Sequence, residues 1–161
     1  MSETIIIADY TDPQHARDIV YLLDNYARDP MGGGEPLSEY AHTHLVEKLQ
    51  QIPGAFSLLC YQQDRAVGLA NCFMGFSTFK CYPLLNIHDI AVLADFRGRG
   101  ISQRLLDKIE DIARQRDCCK ITLEVLQGNE VAQNAYRKFG FAGYELDSKT
   151  GEAMLWQKLL K

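Results

Sequence analysis

The run Asp95-Phe96-Arg97-Gly98-Arg99-Gly100-Ile101-Ser102 constrains this chain most, because of what flanks it. A short strand, Asn86 to Val92, leads into it. A helix follows from Gly100 to Asp117, with Ile101, Leu105, Ile109, Ile112 and Ala113 on one stripe. A chain that turns from strand into helix at this point offers unpaired amides and the positive end of the helix dipole, which suits a phosphate. Gly98 and Gly100 carry no Cβ, so a ligand can approach the backbone. Arg97 and Arg99 add charge and bidentate donors. The loop is not a Walker loop, since no G-K-[ST] follows, and it lacks the G-x-G-x-x-G dinucleotide fingerprint. From spacing alone, a basic glycine-rich turn without a ligand is the competing reading.

The rest of the chain alternates between the two periods. Thr4 to Ala8 is a β-branched run that predicts a strand. Asp12 and Pro13 open a helix, as an N-cap followed by a residue that needs no amide bond, and Ala16, Ile19, Val20, Leu23, Tyr26 and Ala27 follow at helical spacing. Asp29-Pro30 and Gly32 to Gly34 end it. Ser38 opens a second helix, closed by Pro53-Gly54. Ala55 to Tyr61 and Ala66 to Phe76 read as a hairpin around Gln62 to Arg65. Lys120 to Leu126 alternates, Asn129 to Phe139 is helical with Gly140 as its C-cap, and Phe141 to Tyr144 with Ala153 to Leu159 reads as a last strand pair. The order β-α-α-β-β-β-α-β-α-β-β predicts an α/β fold, a mixed sheet layered with helices on both faces. No repeat or linker divides residues 1–161, so one domain is expected.

Composition narrows the function classes. The net charge of −4 disfavours a nucleic-acid surface, which needs a basic stripe. No long apolar run marks a membrane span, and the first residues carry no secretory pattern, so a cytoplasmic protein is expected. Five cysteines, Cys60, Cys72, Cys81, Cys118 and Cys119, form no C-x-x-C pair, so reduced thiols and no metal site are expected.

A second pattern follows the first: Asn129-x-x-Ala132-x-x-x-Tyr136-x-x-x-Gly140-Phe141. Together with Arg97-x-x-Gly100-x-Ser102 after Asp89-Ile90-Ala91-Val92, it resembles the acyl-CoA motifs of the GNAT superfamily of N-acetyltransferases. Ser102 stands where that signature has Gly or Ala; it is small and keeps its amide, so pyrophosphate binding is expected to survive. The resemblance implies the GNAT fold, a twisted mixed sheet in which the strand ending at Val92 splays from the strand Lys120 to Leu126. It implies acetyl-CoA as co-substrate, with pantetheine bonded to the backbone of Ile90, Ala91 and Val92. The pyrophosphate would lie on Arg97, Gly98, Arg99, Gly100, Ile101 and Ser102. Asn129, Ala132 and Tyr136 would contact the pantetheine arm, with the Tyr136 hydroxyl aimed at sulfur. On the residues alone, Tyr136 also reads as a half-buried aromatic and Asn129 as a plain N-cap.

Direct acetyl transfer to an amine requires that the ammonium lose its proton, that the carbonyl oxygen be stabilised and that the thiolate depart. Tyr136 suits the last step. His88, Asp89 and Glu124 are the candidate bases, with His88 and Asp89 on opposite faces if the strand is regular. Asn86 to Val92 is similar to the strand of diamine acetyltransferases, where two acids stand in tandem; His88 replaces the first, so the acceptor stays open. A small amine or polyamine is the leading reading. A protein N-terminus or lysine, and a non-catalytic CoA sensor, are the rivals. Gly32 to Gly34 reads as a mobile cover or a plain connection beside the acceptor, with Glu35, Glu39, Tyr40, His42 and His44 as pocket candidates and Phe79 and Tyr82 as an aromatic wall or a dimer contact. The superfamily resemblance also implies a homodimer.

Overall fold

The computed structural model describes residues 2–161. A five-stranded sheet lies at its centre, in the order β1-β2-β3-β4-β5. The strands are β1 (Glu3–Ile7), β2 (Phe56–Gln62), β3 (Arg65–Ser77), β4 (Tyr82–Val92) and β5 (Ile121–Leu123). The first four form an antiparallel meander, and β5 joins β4 in parallel, so the sheet is mixed as expected. Parallel pairing needs a crossover, which α3 (Ile101–Gln115) supplies. The other helices are α1 (Pro13–Arg28), α2 (Glu39–Gln50) and α4 (Glu130–Phe139). Helices cover both faces of the sheet, the layered α/β arrangement expected. Among the described residues, no helix is long and apolar enough to cross a membrane.

Local chemistry sets the helix ends. The Asp12 carboxylate accepts from the amides of Gln14 and His15, and Pro13 occupies the first turn of α1. Ser38 caps α2 through the amide of Ala41. The helix α3 buries Ile101, Leu105, Leu106, Ile109, Ile112 and Ala113, the predicted stripe with Leu106 added. Each large side chain of that stripe contributes roughly 1.5–3 kcal/mol by leaving water. It packs onto β3 where Gly68 leaves room: a Cβ there would lie 3.1 Å from Ile101 and 3.3 Å from Leu105.

Three expectations are corrected. First, β4 begins at Tyr82 rather than Asn86, and β3 pairs with it out to Ser77↔Tyr82. The segment taken for an aromatic wall is therefore the tip of a long hairpin, where Phe79 is 92% exposed. Second, β5 is paired only from Ile121 to Leu123, not over Lys120 to Leu126. Third, the last strand pair does not form: residues 141–161 contain one bridge, Glu145↔Glu152, and no strand.

Leu105 is fully buried at the α3–β3 contact. Its replacement by alanine is expected to cost about 2–5 kcal/mol, part lost transfer energy and part cavity. Urea unfolding checks this, with the midpoint falling and the slope unchanged.

Candidate active site

The site originates where β4 and β5 part. Their pairing runs Leu85↔Ile121, Asn86↔Thr122 and Ile87↔Leu123, then ends, while β4 continues to Val92 against β3. The β4 edge from His88 onward thus loses its neighbour on that side, the splay expected between the two strands. Unpaired strand edges carry free donors and acceptors in fixed positions.

At the same point β4 carries a bulge. Asn71 pairs with Asp89 and Cys72 with Ile87, so His88 is the extra residue. A bulge re-aims side chains that a regular strand would send to opposite faces. This corrects the regular-strand expectation: His88 Nδ1 lies 3.3 Å from Asp89 Oδ1. Hydrogen bonding to Asp89, and the charges of Asp89 and Glu124, raise the His88 pKa above its ordinary value, against a smaller opposing effect of burial. The Asp89 carboxylate is held from the other side by Asn71, whose Nδ2 donates to Oδ2 at 3.0 Å. Asn71 Oδ1 accepts from Ser57 Oγ at 2.6 Å, and Ser57 meets Tyr10 Oη at 2.9 Å. Ser57 and Asn71 are the buried polar residues of the core. The His88 ring also meets Phe73 edge-on at 5.6 Å.

Below the splay lies the glycine-rich loop. After a short 3₁₀ turn, Ala94–Phe96, Gly98 (φ 73°) and Gly100 (φ 76°) adopt the left-handed conformation that other residues resist. Gly100 caps α3 without a side chain, and among the described residues the amides of Gly98 to Gln103 donate to no acceptor. That run of free amides at a helix start is an anion cradle. Each arginine also makes bonds within the protein. Arg97 Nε donates to Val92 O at 3.0 Å and Nη2 pairs with Asp29 at 3.1 Å. Arg99 Nη2 donates to Asp95 O at 2.9 Å, and its guanidinium lies over Phe96. The loop leaves open its backbone amides, and the remaining guanidinium donors of Arg97 and Arg99 lie beside them.

On α4, Asn129 is the N-cap, accepting from the amide of Ala132 at 3.2 Å. Tyr136 packs edge-on against Phe141 at 5.9 Å. Burial, and to a lesser degree Tyr26, push its phenol up to about 12. Tyr26 of α1 is itself raised by burial and by the carboxylates of Asp89 and Asp29.

Asn71, Tyr26, Asp29 and Phe73 were not anticipated. Asn71 had a signal in the sequence: an amide inside the apolar run Leu69-Ala70-Asn71-Cys72-Phe73 must find a buried partner. The candidates around α2 do not join the site. Tyr40 stacks on His44 at 4.3 Å, and His42 pairs with Asp24 of α1 at 3.1 Å. The triple-glycine segment is tied down rather than loose: the amides of Gly32 and Gly34 donate to Asp29 O at 2.8 and 3.0 Å. Gly32 also presses on α1, where a Cβ would fall 2.0 Å from Tyr26 O.

The chain is similar to several known proteins. The profile of the Acetyltransferase (GNAT) family matches residues 20–141. N-alpha-acetyltransferase 30 of Schizosaccharomyces pombe is 27% identical over 135 residues, 82% of this chain and 81% of that protein. Thialysine N-epsilon-acetyltransferase of Bos taurus is 28% identical over 96 residues, 60% of this chain and 53% of that protein. An aminoglycoside acetyltransferase from an uncultured soil metagenomic sample, solved with sisomicin, superposes with a TM-score of 0.79 at 15% identity, covering 99% of this chain and 97% of its own. The splayed strands, the free-amide loop and the matched profile converge: the chain belongs to the acetyltransferase (GNAT) family and is an acetyl-CoA-dependent N-acetyltransferase.

Proposed function

We propose that the acceptor is a small amine, in particular a diamine or polyamine, and that His88 takes its proton. The observation that carries this reading is the His88–Asp89 pair, set by the β4 bulge at the point where the strands part. The amides of Gly98 to Ser102 suit the pyrophosphate, with Arg97 and Arg99 adding positive charge around it. Asn129 and Ala132 border the pantetheine path along Ile90, Ala91 and Val92. Acetyl-CoA supplies the activated acyl group and the leaving thiol.

The residues divide the remaining work. His88 removes a proton from the ammonium, with Nδ1 held by Asp89 and Nε2 left for the acceptor. Asp89 orients that ring and balances the imidazolium. An amide of Ile90 to Val92, on the unpartnered edge, is the donor for the carbonyl oxygen. Tyr136 acts as a hydrogen-bond donor rather than a full acid. With its phenol pushed up to about 12 it stays protonated, and a thiolate of pKa about 8.5 is too weak a base to remove its proton. Its hydroxyl therefore stabilises the departing sulfur and keeps its own proton.

Two charges favour an acceptor with more than one ammonium. Asp89 and Glu124 both bear on His88, while Asp29 is taken up by Arg97. The base needs one carboxylate; a second finds use in holding a second positive centre. The similarity to the thialysine enzyme points the same way. A protein N-terminus is the second reading, favoured by the extent of the match to the yeast N-alpha-acetyltransferase.

Thiol release measured across spermidine, putrescine, an aminoglycoside, a lysine peptide and free-N-terminus peptides tests the acceptor. Turnover is expected to be fastest with a polyamine; turnover confined to the N-terminal peptides would replace this reading by the second. Tyr136→Phe loses one hydrogen bond to a charged group, about 1.5–3 kcal/mol, so kcat is expected to fall about 10- to 100-fold while the fold persists.

The pH dependence separates the base from its partner. The base works only when neutral, so the rate rises as pH passes the His88 pKa, which Asp89 holds above the ordinary value. Asp89→Asn removes that effect, and the rising limb is expected to move to lower pH with a lower plateau. A limb that stays in place in Asp89→Asn while the His88 ring titration moves by NMR would remove His88 from the role.

A further inference from the structure

The core holds an amide that packing alone does not call for. Asn71 is 2% exposed, and Leu69, Ala70 and Cys72 beside it on β3 are buried with it. An apolar side chain of similar volume would pack there without the cost of desolvating an amide. Asn71 also lies opposite Asp89 in the register, at the step where the bulge begins.

Hydrogen-bond chemistry settles which end of that amide faces Asp89. An ionised carboxylate only accepts, so the nitrogen faces it, and Asn71 Nδ2 donates to Asp89 Oδ2 at 3.0 Å. The amide oxygen is left for Ser57, which must donate to it, as it does at 2.6 Å. Having given its single proton, Ser57 Oγ accepts from Tyr10 Oη at 2.9 Å. The series therefore has one direction, from Tyr10 through Ser57 and Asn71 to Asp89. Turned end for end, Asn71 would set its carbonyl against the carboxylate, acceptor against acceptor.

With Oδ2 taken by Asn71, the carboxylate has Oδ1 for His88. A partner at each oxygen fixes the torsion of the group; with one partner it turns about its last bond. The imidazole has little hold of its own, since the His88 side chain is 66% exposed against 18% for Asp89, and beyond Asp89 it meets the edge of Phe73.

We propose that Asn71 is a positioning residue of this site: acting through Asp89, it sets where the His88 imidazole stands at the parting of β4 and β5. Its effect on the rate rests on His88 being the base; its hold on the ring does not. The other titratable groups that bear on the pair are Glu124, just past β5, Tyr26 of α1 and Cys72 of β3. Burial and the Asp89 charge push the Cys72 thiol up to about 12 and raise the Tyr26 phenol, so neither changes charge where an imidazole titrates.

The His88 ring titration by NMR and the pH profile of kcat, in Asn71→Leu, Asp89→Asn and the double variant, test this. The bond to Asp89 raises the His88 pKa, so a carboxylate free to turn lets it fall. In Asn71→Leu the ring titration is expected to move to lower pH, and the rising limb of the rate with it. On the plateau kcat is expected to fall about 10-fold, with the KM for acetyl-CoA unchanged. In the Asp89→Asn background, Asn71→Leu is expected to move the ring titration no further, because a residue that acts through Asp89 has nothing left to act on. An unmoved ring titration in Asn71→Leu overturns the proposal. A movement as large in the Asp89→Asn background overturns it too, since Asn71 then serves the core alone. A ring titration that moves while the rate limb stays sinks the role of His88 as base and leaves the hold of Asn71 on the ring standing. Should Asn71→Leu fail to fold, Asn71→Thr, which suits a strand and offers Asp89 no amide, decides by the same titration.

Discussion

Everything at the active site depends on one strand that keeps one neighbour and loses the other. β4 stays bonded to β3 from Tyr82 to Val92, yet holds β5 for only three residues. The first contact makes the strand rigid; the end of the second makes its edge available. Had β5 continued alongside, the backbone of Ile90 to Val92 would be spent inside the sheet. Had β4 left both neighbours, nothing would hold that backbone in position. The helix α4, which carries Tyr136, is tied to α3 by Gln103 Nε2 donating to Ala135 O at 3.1 Å.

The bulge at His88 brings its ring to Asp89, and a buried polar line keeps that carboxylate in place. Tyr10, Ser57, Asn71, Asp89 and His88 form one hydrogen-bonded series from β2 to the opening. Inside an apolar core such a series is costly unless each member is satisfied, and among the described residues no buried side-chain polar atom lacks a partner. The completeness of the network fixes the Asp89 rotamer more firmly than a surface contact could. The imidazole at its end is the exposed member, free to exchange protons with what enters.

The sequence announced the parts of this structure that local chemistry decides. The glycine-rich loop was legible because left-handed backbone at Gly98 and Gly100 and the start of α3 are written in adjacent residues. The helix starts at Asp12, Ser38 and Asn129 were legible for the same reason, since each cap acts within three residues. What stayed hidden depends on register across strands. Whether His88 and Asp89 share a side is settled by Asn71 and Cys72, seventeen and sixteen residues upstream, through the pairing they adopt. The roles of Tyr26 and Asp29 likewise require α1 to lie over β4, which no spacing within α1 reveals. The last strand pair failed for an instructive reason: Ala153 to Leu159 has a strand's composition, but composition does not supply a neighbour to pair with.

The Arg97–Asp29 pair gives the molecule an internal counterion. Asp29 has three tasks: its amide closes α1 on Tyr26 O, its carboxylate caps the Pro30–Gly32 turn through Met31, and it neutralises Arg97. A dianion settling on the loop competes with that carboxylate for the same guanidinium. Whatever share of Arg97 the incoming phosphate takes, Asp29 gives up, and its remaining bonds are to the turn that leads into the triple-glycine segment. One residue thus ties together the end of α1, the Pro30–Gly32 turn and the arginine that opens the glycine-rich loop.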